Sequence, residues 1–394
     1  MFVCERGKVM EVQKYLANSS LKDLIDNYSI VVTYYPDRVV LNYNQIESPR
    51  FNAICDECRA LILRKDTWEV MARSFNRFYN LNEGAENTSE KLFAAMANNK
   101  SYIEAKLDGS IISFYYDGQN WCQSTRKLAF AEGKVITGRV FSSLFEIAAK
   151  KTNLYNILSE EMKAFTYVFE LTSPENRVVT RYSNTGITLI GGRHNASGKE
   201  LTKDELDSFA RLAKIDRPKT YQCSSAEELL ALVSSFPVLD EGVVIRVEFE
   251  DGNVWRVKCK NPKYVSISHM RENGGISAKN VLNIVMANEQ AEYLSYFPED
   301  IRYFTYVSDI YKELIARINE IYERHKDIVV QKDFAIAIMA EKGYSIEKGI
   351  LFSIRKSGRS AEEILKEIGA KKLCEGIDLK EKFLKLFNIE EGIV

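Results

Sequence analysis

Between Ser101 and Lys260 the chain is written in short strand-forming runs separated by turn signals, and after Ile276 that pattern stops. Ile111 to Tyr116 and Asn120 to Thr125 flank Asp117-Gly118, and Gly242 to Phe249 and Val254 to Lys260 flank Asp251-Gly252-Asn253. Asp-Gly between two such runs signals a hairpin, because the tight turn needs a backbone conformation that glycine adopts freely. Phe165 to Leu171, Arg177 to Tyr182 and Ile187 to Arg193 read as further strands. The first hundred residues read as short strands and loops, with strands at Arg38 to Tyr43, Ala60 to Arg64 and Thr67 to Met71. A helix is expected over Val140 to Lys151. Thr202-Lys203-Asp204-Glu205 is a capping box that opens another, to about Leu212, and Ser225 with Glu228 repeats the pattern before Leu229-Leu230. Beyond Ile276, Ile310, Leu314, Ile318 and Ile321 fall at helical spacing, and Phe334 to Met339, Ile364 to Ile368 and Leu379 to Phe387 read as helical too. The expectation is an α+β chain: an antiparallel-sheet domain with an N-terminal extension over residues 1–275, then an all-α domain over 276–394. A length of 394 residues also favours two domains.

Charge excludes little. The 54 basic and 55 acidic residues nearly cancel, so no basic surplus announces a nucleic-acid binder, although a basic groove can sit inside a neutral total. The part from Ile276 onward carries 18 basic and 20 acidic residues and is no basic arm. Arg355-Lys356-Ser357-Gly358-Arg359 reads as a solvated basic loop. The seven cysteines, Cys4, Cys55, Cys58, Cys122, Cys223, Cys259 and Cys374, are odd in number and scattered, which points to a reducing compartment. Cys55 and Cys58 form a lone Cys-x-x-Cys far in sequence from His194, His269 and His325, so two ordinary thiols are expected rather than a zinc site. No signal peptide and no membrane-spanning apolar run is recognisable, and a cytoplasmic location is expected (host cytoplasm if viral).

Candidate chemistry begins at Lys106, in Glu104-Ala105-Lys106-Leu107-Asp108-Gly109-Ser110. Lysine is a poor strand-interior residue, and Asp-Gly bends the chain directly after it, which holds an amine at the mouth of a sheet. Glu170 closes the strand before the Pro174 to Asn176 turn, where a carboxylate can hold a ribose hydroxyl or a metal. Asp240-Glu241 precedes a strand that reads as buried. Such oxygen ligands suit Mg²⁺, which binds through one or two carboxylates and keeps most of its waters. In Val257-Lys258-Cys259-Lys260 strand alternation points both lysines to one face, where they repel unless an anion lies between them; a triphosphate would serve. Arg59, and Arg73 to Glu83 with Arg77 among aromatics, suit contact with phosphate and base. Taken singly, each has a plainer reading: a solvent-facing strand residue, a turn, an edge-strand lysine, a core aromatic.

Taken together and in this order, these residues resemble the covalent nucleotidyltransferases, the superfamily of ATP-dependent ligases and capping enzymes. Lys106 to Gly109 is similar to motif I, Glu170 to motif III, Glu241-Gly242 to motif IV and Lys258-x-Lys260 to motif V. The chain more closely resembles the RNA ligase 1 family of T-even phages. That resemblance extends to Glu57-Cys58-Arg59, to Phe78-Tyr79-Asn80-Leu81-Asn82-Glu83, to Pro174-Glu175-Asn176-Arg177-Val178-Val179 and to Tyr264-Val265-Ser266-Ile267-Ser268-His269. It covers about residues 55 to 270. Departures are Arg77 and Arg126 where the family has lysines, and Ala60 where it has glycine.

The resemblance implies an enzyme that joins 3′-OH and 5′-phosphate RNA ends, with tRNA anticodon-loop breaks as the expected substrate. It implies ATP and Mg²⁺, with Mn²⁺ as an alternative, and partnership with an RNA end-healing kinase-phosphatase. Lys106 would take AMP from ATP. Glu241 and Glu170 would meet the metal, and Glu170 the ribose. Arg59 and Arg77 would touch the β- and γ-phosphates, and Arg126 the nucleotide or RNA phosphate. Gly109 would allow close backbone approach, Tyr264 would assist the outgoing pyrophosphate, and Leu189 and Val243 would pack the adenine. A free lysine amine has a pKa of about 10.4, so neutralising it at pH 7 costs about 4.6 kcal/mol. Lys258, Lys260 and a bound metal are the cations expected to lower that cost. Two other readings compete: a DNA ligase or mRNA capping guanylyltransferase, which would follow motif V with a small β-barrel rather than helices, and an inert RNA-end binder, which would lack one of the key residues.

Overall fold

The computed structural model describes residues 9–387 except 136 and 272–275; Cys4 lies outside them. In chain order its strands are β1 (Ile30–Tyr34), β2 (Arg38–Tyr43), β3 (Leu61–Arg64), β4 (Val70–Ala72), β5 (Tyr79–Asn80), β6 (Lys100–Lys106), β7 (Ser110–Tyr116), β8 (Trp121–Ser124), β9 (Phe165–Thr172), β10 (Gly186–His194), β11 (Thr220–Tyr221), β12 (Gly242–Glu248) and β13 (Val254–Lys260). They form three sheets, ordered β1-β2-β3-β4, β10-β9-β7-β8 and β11-β6-β12-β13-β5. Both Asp-Gly hairpins form, β7–β8 and β12–β13. Pairing is antiparallel except where β5 lies parallel to β13.

Each sheet buries its apolar residues under helices. Val39, Leu41, Leu61 and Leu63 of the first sheet pack with Val12, Leu16 and Leu24 of helices Glu11–Leu16 and Leu21–Tyr28. Phe114, Phe169 and Leu189 pack under helices Phe141–Ala149 and Lys203–Ala213. Ile103, Val243, Ile245 and Val257 pack against Leu92, Leu229 and Val233 of helices Ser89–Asn98 and Ala226–Ser235. The capping box at Thr202 forms, its hydroxyl accepting from the Glu205 N–H, and Ser225 caps the next helix in the same way. Cys55 and Cys58 are both buried in the core of the first sheet, where burial pushes their thiols up.

The chain divides into two compact units, Met1–Val265 and Ser266–Val394, a division that falls inside helix Pro262–Met270. In the second unit every regular element described is helical. Helix Ile301–His325 buries Phe304, Val307, Tyr311, Leu314, Ile318 and Ile321 along one stripe, while Ile310 is only half-buried.

Four local expectations are corrected. The first hundred residues contain helices Glu11–Leu16, Leu21–Tyr28, Ala53–Glu57 and Ser89–Asn98, all of them shorter than the roughly 11 residues over which a helical period can be read from sequence. Thr67 lies in a turn and the strand begins only at Val70, because Asp66 and Trp68 take left-handed backbone angles of 68° and 57°. Arg177 to Tyr182 is irregular: the N–H groups of Val179 and Thr180 go to the Asp108 carboxylate instead of a neighbouring strand. Arg355 and Lys356 belong to the last turn of helix Ser345–Ser357, where cations complement the helix dipole, and Gly358 ends it at φ 69°.

Candidate active site

Lys106 ends β6, Lys260 ends β13, and both pair across the central strand with Gly242, the first residue of β12. Glu241 therefore enters between two lysines. Its Oε2 accepts from Lys106 Nζ at 2.5 Å and its Oε1 pairs with Lys260 Nζ at 2.9 Å. Burial alone would raise the Glu241 carboxyl, but the two lysines outweigh it and hold the group below its usual range. Burial would likewise lower Lys106; Glu241, then Glu170, outweigh that and hold the amine above its usual value. Lys258 feels the opposite balance. Burial first, then Lys106, Arg59 and Lys260, bring it down to about 7. The expected pressure from neighbouring cations thus falls on Lys258 and not on Lys106. The reason is that Glu241 is shared by Lys106 and Lys260, and no carboxylate among the described residues pairs with Lys258.

The Leu107-Asp108-Gly109 link carries the chain from β6 into β7, that is, from one sheet to the other. Glu170 lies on β9 opposite Ile111, and its Oε1 accepts the Gly109 N–H at 3.0 Å. Burial pushes the Glu170 carboxyl up to about 7, with Lys106 opposing and Glu241 assisting. Gly109 is required by packing: a Cβ there would lie 2.4 Å from the Leu171 carbonyl oxygen. Gly242 is required twice over, by φ 133° and by a Cβ position 2.2 Å from the Cys259 carbonyl oxygen. Asp108 is buried and ties three segments together. Its Oδ2 accepts from Val179 N and Thr180 N at 2.8 and 2.6 Å, and its Oδ1 from the Tyr264 hydroxyl at 2.7 Å. Tyr264 is thus corrected: it is buried on Asp108 and does not line the cavity that Lys106 faces.

That cavity measures about 410 Å³ and brings together Lys106, Glu170, Glu241, Lys258, Lys260, Arg59, Arg77 and Arg126. Arg59 precedes β3, Arg77 leads into β5, and Arg126 follows β8. The guanidinium groups of Arg77 and Arg126 stand over the Tyr43 ring, 4.2 and 5.0 Å from its centroid, and that of Arg59 over Phe78 at 5.2 Å. Planar guanidinium groups stack on rings in a way that lysines at these two positions could not. Ala60, beside Arg59, takes the left-handed φ of 53° that glycine adopts more readily. Leu189 and Val243 are corrected as adenine neighbours: both are fully buried in separate cores, and the adjacent Ile190 and Val244 face the cavity. Alternation sets the parity of β12, and a bulge at Ile190 shifts that of β10. Tyr43 and Arg256 were missed. Arg256 was legible, two residues before Lys258 on the same face; Tyr43 had no local signal.

The lining carries eight Lys or Arg side chains against four Glu. Arg59 Nη1 and Arg126 Nε are buried there without a hydrogen-bond partner. Buried donors left unmatched in a cationic pocket fit an anionic ligand. Among the described residues no group of three or more His, Cys, Asp or Glu is set to hold a metal by itself. Glu170 and Glu241 supply the two carboxylates that Mg²⁺ can use when phosphate oxygens and water complete its shell. The site can therefore present a polyphosphate to an amine, as a covalent nucleotidyltransferase requires.

The chain belongs to the RNA ligase family typified by RNA ligase 1 of T-even phages: the family described as RNA ligase matches residues 57–264. It is 31% identical over 303 residues to a protein of Autographa californica nuclear polyhedrosis virus named as a bifunctional polynucleotide kinase/RNA ligase. That match covers 74% of this chain and 42% of the viral protein, so the chain spans less than half the length of that relative. It is 23% identical over 329 residues to the RNA ligase of Rhodothermus phage RM378, covering 70% of this chain and 73% of that one. Among solved structures, an archaeal ATP-dependent RNA ligase aligns with a TM-score of 0.45 and 14% identity over 79% of this chain and 82% of the other.

Proposed function

We propose that the chain is an ATP-dependent RNA ligase in which Lys106 is the nucleophile. The observation that carries this is the Glu241 carboxylate shared between Lys106 and Lys260 inside a cavity rimmed by Arg59, Arg77, Arg126 and Lys258. Lys106 Nζ, once deprotonated, attacks the α-phosphorus of ATP; a P–N bond forms, the bond to the β-phosphate oxygen breaks, and pyrophosphate leaves. The 5′-phosphate of an RNA end then displaces the lysine and takes the AMP. A 3′-hydroxyl attacks that phosphate, loses its proton and expels AMP, which closes the phosphodiester.

Glu170 and Glu241 are the residues that would hold Mg²⁺ or Mn²⁺, and the metal would offset phosphate charge and draw off the carboxylate charge that keeps Lys106 protonated. Arg59, Arg77 and Arg126 hold the β- and γ-phosphates, and Lys258 and Lys260 neutralise the transferring phosphoryl group. Glu170 also accepts from the ribose, and Ile190 and Val244 face the base. Gly109 and Tyr264 act by positioning, since both are tied to the loop that carries Lys106. The helical unit is the seat of RNA choice, with a broken tRNA anticodon loop as substrate in the cytoplasm. A relative named as kinase and ligase together supports partnership with an end-healing kinase-phosphatase.

The test mixes protein, Mg²⁺ and α-labelled ATP without RNA and follows label on a denaturing gel. Label that Lys106→Ala abolishes is expected, followed by sealing of a nicked anticodon stem-loop. Absence of label from both proteins, or a preference for GTP, would overturn the reading.

A further inference from the structure

A second cavity, of about 300 Å³, shares Phe75, Arg77, Phe78, Tyr79 and Arg256 with the first and opens toward the Gly252-Asn253 hairpin turn. Its chemistry differs from that of its neighbour. Of the three cations that line it, two are engaged: Arg256 Nη1 donates to Glu200 at 2.8 Å, and Arg193 donates to the Ser74 and Gly198 carbonyls and to Asn76, while the third, Arg77, lies on the wall shared with the first cavity. The carboxylate of Asp56 accepts the Tyr79 hydroxyl, and that of Glu86 pairs with Lys91. Little charge is left over to seat a phosphate.

Ring surface is what remains. Phe51 is 47% exposed and stacks on Tyr79 with centroids 4.1 Å apart, and Trp255 and Phe78 are half-buried at the cavity wall. Phe51 is held at a left-handed φ of 57°, which a bulky side chain rarely adopts, so the fold presents this ring at a cost. The amides of Asn76, Asn87 and Asn253 border the same space and brace it: Asn76 accepts from Arg193, Asn87 accepts from the Trp255 indole N–H and donates to the Glu83 carbonyl, and Asn253 donates to Asp251. Exposed aromatic faces take a nucleobase by stacking, whereas unpaired cations take the backbone.

We propose that this second cavity takes one unpaired base of the RNA strand being joined, stacked on the rings of Phe51 and Trp255, so that the strand end is aimed at the neighbouring site. This rests on the reading of the chain as an RNA ligase. A joining enzyme must hold two strand ends at one reacting phosphate, and a base pocket sharing a wall with that site fixes one of them without competing for the arginines that face ATP.

The experiment uses the intact chain and a fluorescein-labelled single-stranded oligoribonucleotide, with a single abasic residue placed at each position near either end. Anisotropy reads affinity, and labelling from ATP is followed in parallel. In the parent protein one abasic position is expected to weaken binding about tenfold. Phe51→Ala and Trp255→Ala should bind the intact strand about tenfold more weakly, show no further loss at that abasic position, and keep the ATP label. Trp255→Phe should restore the parent profile. The inference is overturned if no abasic position matters in the parent, or if the variants keep the parent's abasic penalty. Failure of the parent to take label from ATP would instead sink the ligase reading, and this inference with it.

Discussion

Each oxygen of Glu241 is taken by a different lysine, while the carboxyl of Glu170 faces burial with, among the described residues, the Gly109 N–H as its one hydrogen-bond donor. The two carboxylates of one site therefore titrate apart, Glu241 below its usual range and Glu170 at about 7. Because the folded value of Glu170 lies above the unfolded one near 4.5, its contribution to stability is complete below that pH and is lost as pH rises through 7. Glu170→Gln should accordingly be more stable than the parent at pH 8 by about 3 kcal/mol, with the gap closing toward pH 4, as urea titrations at the two pH values would read. The same variant should lose metal-dependent labelling from ATP. Asp108 gives a second prediction at this scale. Asp108→Ala strips partners from two backbone N–H groups and the Tyr264 hydroxyl, so a loss of about 3 kcal/mol is expected in urea unfolding. Tyr264→Phe, which removes one of the three bonds, should cost about 1 kcal/mol. Asp108 was legible in the sequence only as part of a turn; its partners lie about 70 and 155 residues further along the chain, beyond any local signal.

Among the elements, the hairpin β12–β13 accounts for the spacing of motifs. Its register sets Gly242 opposite Lys260, so Glu241 meets Lys260, and the register of β12 with β6 brings Lys106 to the same carboxylate. Period-two alternation read Lys258 and Lys260 onto one face correctly, and the same rule would have added Arg256. Leu189, which the resemblance put beside the adenine, lies on the buried face of β10 with Ile187, and the neighbouring Ile190 faces the cavity. The β6–β7 link is the other critical element. Gly109→Ala would drive a methyl group into the Leu171 carbonyl and part β7 from β9, which carry Ser110 and Glu170. A loss of more than about 2 kcal/mol is expected on thermal or urea unfolding, together with at least tenfold slower labelling from ATP. Gly→Ala at Gly133, where the closest contact is the Leu128 side chain at 3.1 Å, is the control expected to cost far less.

For the whole molecule, the unit that ends at Val265 holds three sheets with their own cores and all of the candidate site residues. A fragment covering residues 1–271 is expected to unfold cooperatively and to take label from ATP at a rate within about threefold of the full chain, while losing at least tenfold in sealing of an anticodon stem-loop. Calorimetry and the gel assay check the two halves of that statement. The sequence by itself determined the hairpins, the helix caps and the change from strand to helix about two-thirds of the way along the chain, and it singled out Lys106, Glu170, Glu241, Lys258 and Lys260 as candidates. These are set by turn chemistry and side-chain period, which act over a few residues. Only the tertiary structure decided that Glu241 and not a cation governs Lys106, that Tyr43 receives two arginines, that Tyr264 serves Asp108, and which residues face the cavity. Those outcomes depend on three sheets meeting at one place, and sheet closure fixes distances between residues that no local preference links.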